Sequence, residues 1–326
     1  MGVSAPTGVG DRGARDAAPR SATTPADRPA PRVRVRAPGE PRRVAYLYIA
    51  PAMVMYALFA FGPLIYTTWL SFFDWDGVTV GTWIGLANYD HVLSDPAIRA
   101  SFVHSLELIV FFAVLPCALG LVLASVVAHG RVRGIGFFRA VLFLPQTVAS
   151  VVVAIAFVWV YGPQGPLNEA LRAVGLGGLA RSWLGDFQFA LPALGLVGTW
   201  VMFGLCMVLF LAGIQKIPLS LYEAARVDGA GPVREFFAVT LPGLRSELAV
   251  ALTLTTIMAL RSFDLVYVAT NGGPGSSTTV PGVLVYRNAF SNGNVGLAAA
   301  VAVVLTLIIF AVAFAITKLV DRDPAA

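Results

Sequence analysis

Long apolar stretches alternate with short polar ones along most of this chain. Residues 44–73 carry no charge, and because about twenty apolar residues cross the hydrocarbon core of a bilayer, they predict one tilted or slightly overlong span. Apolar stretches at 102–128, 140–161, within 187–214, 248–270 and 295–318 predict five more. The fifth is the weakest, since only thirteen uncharged residues separate Glu247 from Arg261. Trp69, Trp75 and Trp83 gather where the first span would leave the bilayer, as in an interfacial aromatic belt. Glu107, near the entry of the second span, is expected to snorkel to the interface. The pattern predicts an all-α integral membrane protein with six transmembrane helices and no internal repeat.

One polar stretch interrupts this rhythm differently. Residues 218–242 lie between the fourth and fifth spans and carry Glu223, Arg226, Asp228, Arg234 and Glu235. Each charge would cost roughly 2.5–3.5 kcal/mol at the bilayer centre, so the stretch stays outside the membrane. Its punctuation predicts a helical hairpin. Pro218 suits a first helical position, Gly229 and Gly231 can end that helix in left-handed geometry, and Pro232 can open a second one. Pro242 is expected to close the unit. The second helix would place Val233, Phe236, Phe237 and Leu241 on one face, while Ala224 and Ala225 on the first permit close approach. Two readings stay open from the residues alone: a loop folded back on its own bundle, or a lever that docks a separate protein.

Composition sharpens the membrane reading. With 57% hydrophobic and 13% charged residues, the chain is too apolar for an ordinary soluble domain. The net charge of +5 sits in residues 1–43, where nine Arg face Asp11, Asp16, Asp27 and Glu40. That segment is rich in Ala, Pro, Ser and Thr and is expected to be a disordered tail. It has no aromatic interleaving, so anionic membrane lipid is its expected neighbour and nucleic acid is not. Its apolar stretch comes too late and runs too long for a cleavable signal. The expected organisation is a basic tail at 1–43, the first span and an external loop at 44–101, a five-span core at 102–320 and a short polar end at 321–326.

Charge asymmetry orients the bundle. With six spans, the amino tail, Arg131, Arg133, Arg139, the hairpin cations Lys216, Arg226, Arg234 and Arg245, and Lys318 and Arg322 all fall on one side. The other side holds only Arg99, Arg172, Arg181 and Arg287. Both termini and the hairpin are therefore expected to be cytoplasmic.

Little in the chain suggests catalysis. Cys117 and Cys206 lie in apolar segments, and His91, His104 and His129 share no ligand spacing, so no metal site is expected. The run Asn271–Ser277 is glycine-rich but lacks the Lys of a phosphate loop, and reads as a turn. Nucleotide would have to be bound by another chain. Arg261 and Asp264 fall inside the expected fifth span, at a spacing that puts them on one helix face. They read either as a structural ion pair or as part of a translocation path, with Tyr267 a further candidate. Gln146, Gln215 and Trp200, like Tyr267, suit contact with a polar solute and equally suit packing between helices.

Several motifs carry a family resemblance. Glu223-Ala224-Ala225, Gly229 four residues on, and Val239-Thr240-Leu241-Pro242 resemble the EAA loop of bacterial ABC importer permeases. Gly85-Leu86-Ala87-Asn88-Tyr89, Phe137-Phe138-Arg139 with Leu144-Pro145, Leu211-Ala212-Gly213 before Ile217-Pro218, Phe263-Asp264, and Thr270-Asn271-Gly272-Gly273-Pro274-Gly275 are similar to permeases of the maltose and glycerol-phosphate type. The resemblance covers about residues 44–320. One departure is His104-Ser105, where those permeases usually carry Asn-Thr.

The resemblance implies a type I ABC importer permease fold and a non-catalytic subunit in the inner membrane. It implies partners: an ABC ATPase dimer that binds ATP, a second permease that is homologous or identical, with a heterodimer the expected form, an extracytoplasmic solute-binding protein and a sugar substrate. The expected ATPase-coupling residues are Glu223, Ala224, Ala225, Asp228, Gly229, Ala230, Phe236, Phe237, Leu241 and Pro242, with Glu223 and Gly229 the hallmark positions. An ion-coupled secondary transporter is the competing class, and it would show inverted repeats, helices broken at mid-membrane and more buried carboxylates. A membrane enzyme would need a nucleophile or His/carboxylate constellation that the chain lacks.

Overall fold

The computed structural model describes residues 42–129 and 134–320. The expectations for the tail up to residue 41, for Arg131 and Arg133, and for residues 321–326 fall outside them. The chain divides after Met55 into two units. In the first, the described residues open α1 (Arg42–Tyr56), and its side chains from Tyr46 to Met55 are exposed.

The second unit holds the remaining elements. After α2 (Gly62–Leu70) comes a small antiparallel pair, β1 (Phe73–Asp74) and β2 (Thr82–Trp83), and then α3 (Ala87–Ser94). Asn88 on α3 donates to the carbonyls of Ser71 and Phe73 and so ties the end of α2 to this cap. Next come α4 (Pro96–Ala128), α5 (Ile135–Thr147), α6 (Ser150–Val160), the short α7 (Pro166–Ala173) and α8 (Ala190–Ile214). The polar interlude forms α9 (Leu219–Val227) and α10 (Pro232–Gly243). The chain ends with α11 (Arg245–Leu260), α12 (Asp264–Thr270), α13 (Pro281–Phe290) and α14 (Val295–Val320).

Tyr46–Leu70, α4, α8 and α14 are each long and apolar enough to cross a membrane; α5/α6 passes the same test only as one broken span, and so does α10/α11, whose first half is the second hairpin helix. The central helix is α8, buried along most of its length. Small residues let its neighbours approach closely, as expected where lipid offers no hydrophobic drive between helices. A Cβ at Gly120 of α4 would sit 2.7 Å from the Met207 amide nitrogen, and one at Gly204 would sit 2.0 Å from the Leu142 carbonyl of α5. Thr199 Oγ1 also donates to the Phe111 carbonyl across this contact.

Three prolines share one device. The turns Ala57–Phe61, Val110–Val114 and Phe236–Thr240 are π-helical. In each, the residue just before a proline (Gly62, Leu115, Leu241) donates its amide to the carbonyl five residues back. A proline inside a regular α-helix loses one bond and crowds a carbonyl. The wider turn absorbs both effects and lets the helix continue.

Two expectations change here. Pro242 does not close the second hairpin helix, because the π turn carries α10 past it to Gly243. The third and fifth spans are not continuous. The third is α5 and α6, bent by 95° at Val148, which is extended, and Ala149, at φ −59° and ψ 133°. Pro145 and the back-bond from Thr147 Oγ1 to the Leu144 carbonyl use up the end of α5 there. The fifth expected span, 248–270, is α11 and α12 with a break at residues 261–263.

Candidate functional site

The hairpin forms where the punctuation placed it, but Pro218 is the N-cap of α9 rather than its first helical residue, and Gly231 is extended at φ −76° rather than left-handed; Pro232 does open α10. Gly229 has φ +76°, and no atom lies within 4 Å of a Cβ built there. The glycine is therefore required by backbone geometry alone.

The hairpin's inner face is tied by side chains. Arg226 on α9 donates from Nε and Nη2 to the two carboxylate oxygens of Glu235 on α10, at 2.9 and 3.1 Å. Glu235 is buried while Arg226 stays half exposed. The carboxylate pushes the Arg226 pKa above its ordinary value, first through the hydrogen bond and then through its charge. Behind this pair, Tyr222 Oη and Thr240 Oγ1 lie 3.3 Å apart in the interior. With these groups facing inward, Glu223, Ala224, Asp228 and Gly229 are left exposed, and Ala225 and Ala230 half-buried. Ala230, Phe236 and Phe237 line a cavity of about 770 Å³ that extends to Val122 and Val126 of α4. Leu241 is half-buried and Pro242 exposed.

The hairpin is stapled to the bundle at its base. Lys216, just past α8, donates to Glu247 Oε1 on α11 at 2.8 Å. A Cβ at Gly213 would meet Leu244 and Glu247 at 2.5–2.8 Å, so α8 and α11 touch at this end. The bend between α10 and α11 at Leu244 is 72°. A displacement of the hairpin therefore acts directly on the ends of α8 and α11.

The two helix breaks meet in a cavity of about 250 Å³. Val148 and Ser150 come from the first break, Arg261, Ser262, Phe263 and Asp264 from the second. Phe112 of the α4 π turn and Gly198 and Met202 of α8 also line it. Ser262 Oγ is buried with no hydrogen-bond partner among the described residues. A mainly apolar wall with a few polar groups of this kind suits a small polar solute.

Arg261 and Asp264 reach this cavity by a route the spacing did not foretell. Arg261 caps α11 and Asp264 begins α12, so they share no helix face, and no ion pair joins them among the described residues. The expected structural pair is corrected, because i,i+3 proximity needs an unbroken helix. Tyr267 is outside the cavity wall, stacked on Phe263 at 5.1 Å. Trp200 packs on Phe157, and Gln146 Oε1 is buried without a protein partner among the described residues. Glu107 is exposed on α4. The glycine-rich run is the turn that was expected, closed by Thr278 Oγ1 on the Gly273 carbonyl and Thr279 Oγ1 on the Gly272 carbonyl. His104 contacts it through Nδ1, 2.9 Å from the Thr279 carbonyl.

Sequence reasoning missed the Arg226–Glu235 brace and the Val148–Ala149 break. The brace had a signal, namely opposite charges either side of a glycine corner. The break had only Pro145.

Comparisons with known proteins agree with this geometry. Residues 117–325 match the family described as binding-protein-dependent transport system inner membrane component. The chain is 37% identical over 271 residues to the probable ABC transporter permease protein YurN of Bacillus subtilis, covering 82% of this chain and 92% of that one. It is 32% identical to the trehalose/maltose transport system permease protein MalF of Thermococcus litoralis, covering 82% and 90%. Its fold matches a chain in the crystal structure of a bacterial alginate ABC transporter in complex with alginate pentasaccharide-bound periplasmic protein. The TM-score there is 0.72 at 20% identity, over 86% of this chain and 94% of that one.

Proposed function

This chain belongs to the binding-protein-dependent transport system inner membrane components, and we propose that it is the sugar-conducting permease of an ABC importer whose hairpin couples transport to ATP hydrolysis on separate subunits. It is a multi-pass membrane protein with the permease fold of such importers. The observation that carries the proposal is the hairpin's division of labour. Arg226, Glu235, Tyr222 and Thr240 hold it from inside, which leaves Glu223, Ala224, Asp228 and Gly229 free to meet another protein. Its base is joined to α8 and α11, and both line or lead into the cavity at the helix breaks. Motion of docked ATPases would thus reach the cavity through two helices, biasing a bundle with two packings.

The remaining parts of the reading follow from the same arrangement. The ATPase dimer takes the hairpin and holds the nucleotide. A second, homologous permease completes the path, and a solute-binding protein delivers the sugar from outside. Both termini and the hairpin are cytoplasmic, which the surplus of Lys and Arg supports. Arg261, Asp264 and Ser262 contact the sugar in the cavity. Sugar transport is named in relatives such as the trehalose/maltose permease. The helix breaks alone would also suit an ion-coupled transporter, but membership of this family does not favour that class.

The test is uptake and purification together. Cells lacking this chain should lose uptake of one labelled sugar, and the tagged chain should bring an ATPase and a second permease with it from mild detergent. A probe confined to the outside should label a cysteine at Ser277 and miss one at Ala230. Isolation as a single chain, with uptake of every sugar intact in its absence, would overturn the proposal.

A further inference from the structure

Cys117 on α4 and Cys206 on α8 are the two cysteines of the chain, and the coupling account uses neither. Both are free thiols, buried between the helices among Ala124, Phe210 and Leu211. Their sulfurs lie 3.7 Å apart. A small apolar residue would fill either place, since a buried thiol packs much as a small hydrophobe does. Two thiols in contact add a chemistry that packing does not need, because a bond can join them.

The backbone around them suits such a bond. Gly120 follows Cys117 by one helical turn, and a Cβ built there would sit 2.7 Å from the Met207 amide nitrogen and 2.8 Å from Cys206 Cβ. A disulfide needs Cα atoms within about 7 Å of each other. Helices whose backbones touch one turn away hold the two cysteines near that range, and side-chain rotation brings the sulfurs together. An oxidant also has a route. Phe112 of α4 and Met202 of α8 line the solute cavity, and each precedes its cysteine by about one turn. A small uncharged molecule in the cavity is thus one helical turn from the thiols.

We propose that Cys117 and Cys206 are a redox pair, which a hydroperoxide oxidises to a disulfide that pins α8 to α4 and stops transport. With hydrogen peroxide, one thiol takes up an oxygen atom as sulfenic acid and the rest of the peroxide leaves as water. The second thiol then displaces a second water and forms the S–S bond. The thiols lose two electrons and the O–O bond gains them, and a dithiol reductant reverses the step by exchange. The pinning rests on the coupling account above, in which motion of the hairpin passes along α8. Cys206 stands between Met202 at the cavity and Gly213 at the hairpin base. A bond there ties α8 to a helix outside that route.

The test uses cells carrying the intact importer, given a pulse of hydrogen peroxide and then, in half of each sample, dithiothreitol. Thiols are counted on the denatured chain by the gel shift of a polymer-linked maleimide, and with two cysteines in all the count is complete. The readout of transport is the labelled sugar whose uptake is lost in cells lacking this chain. Peroxide should take the wild-type count from two thiols to none, with uptake falling in proportion to the chains oxidised. Dithiothreitol should restore both. Cys117→Ala and Cys206→Ala should change uptake before treatment by less than about twofold and should keep it under peroxide. The reversal in wild type needs no variant, so it decides the matter even where an alanine chain inserts poorly. Two free thiols at a dose that oxidises cellular glutathione would overturn the pair. So would a loss of thiols that dithiothreitol does not reverse. A disulfide with uptake intact, or equal losses of uptake in the alanine variants, would overturn the lock and leave the coupling account standing. Uptake of every sugar intact in cells lacking this chain would overturn the coupling account and the lock together.

Discussion

The hairpin and the cavity at the helix breaks are both departures from a plain membrane helix, and they are built in opposite ways. The hairpin is polar, punctuated by Pro218, Gly229, Gly231 and Pro232, and braced by an ion pair. The cavity is set in apolar sequence, and its breaks at 148–149 and 261–263 contain neither glycine nor proline. A turn in water has to be written into the local sequence, since the competing helix differs from it only slightly in energy. A break inside a bundle can be imposed by packing, because neighbouring helices hold the chain once it has left the helix. On the proposed function, the first region presents backbone and small side chains outward to an ATPase, and the second gathers a few polar groups inward to a solute.

Breaking the hairpin should have the largest effect. Gly229→Val places a β-branched residue at φ +76°, where an L-residue is strained by about 1–2 kcal/mol. Glu223→Lys reverses a charge on the exposed face. Both variants should reach the membrane in normal amounts, as judged by immunoblot, and should show uptake near background.

The cavity should respond next, and additively. Asp264→Asn should lower uptake roughly tenfold or more by removing a charged hydrogen-bond partner, with protein levels unchanged. Because Arg261 and Asp264 stand on different helices without an ion pair, Arg261→Gln combined with Asp264→Asn should show the summed loss. Recovery in the double variant would mean that the two charges neutralise each other after all.

The brace gives a smaller and asymmetric effect. Arg226→Met takes two hydrogen bonds from the buried carboxylate of Glu235, whereas Glu235→Gln leaves an Arg that is already half in water. The first should destabilise the hairpin more than the second, because the carboxylate is the buried member of the pair. Amide hydrogen exchange across residues 219–243 reads the difference, and equal losses would place the pair at the surface. Smallest of all, Lys216→Ala removes a largely exposed partner of Glu247, worth about 0.2–1 kcal/mol. Uptake should change by less than about twofold.

The same contrast explains what could be read from the sequence. The four continuous spans, the hairpin and the Gly229 turn rest on hydropathy and backbone rules that act within a few residues. Those rules also singled out Arg261, Asp264 and Tyr267. They misled at Pro242, because a π turn upstream relieves the proline and single-residue preferences do not encode it. They misled at Arg261 and Asp264, because helical spacing assumes a helix, and α11 ends at Leu260. Ser150, Gly198 and Phe112 enter the cavity only through the packing of α4, α6 and α8. No spacing in the chain brings them together.

The most direct measurement compares the two regions in one preparation. The tagged chain would be purified from native membranes as wild type, Gly229→Val and Asp264→Asn, with sugar uptake measured in the same cells and ATPase retained per permease quantified. Both variants should lose uptake, with the ATPase absent from Gly229→Val and fully retained by Asp264→Asn. Retention by both, or loss from both, would contradict the assignment of the hairpin to the ATPase and of the cavity to the solute.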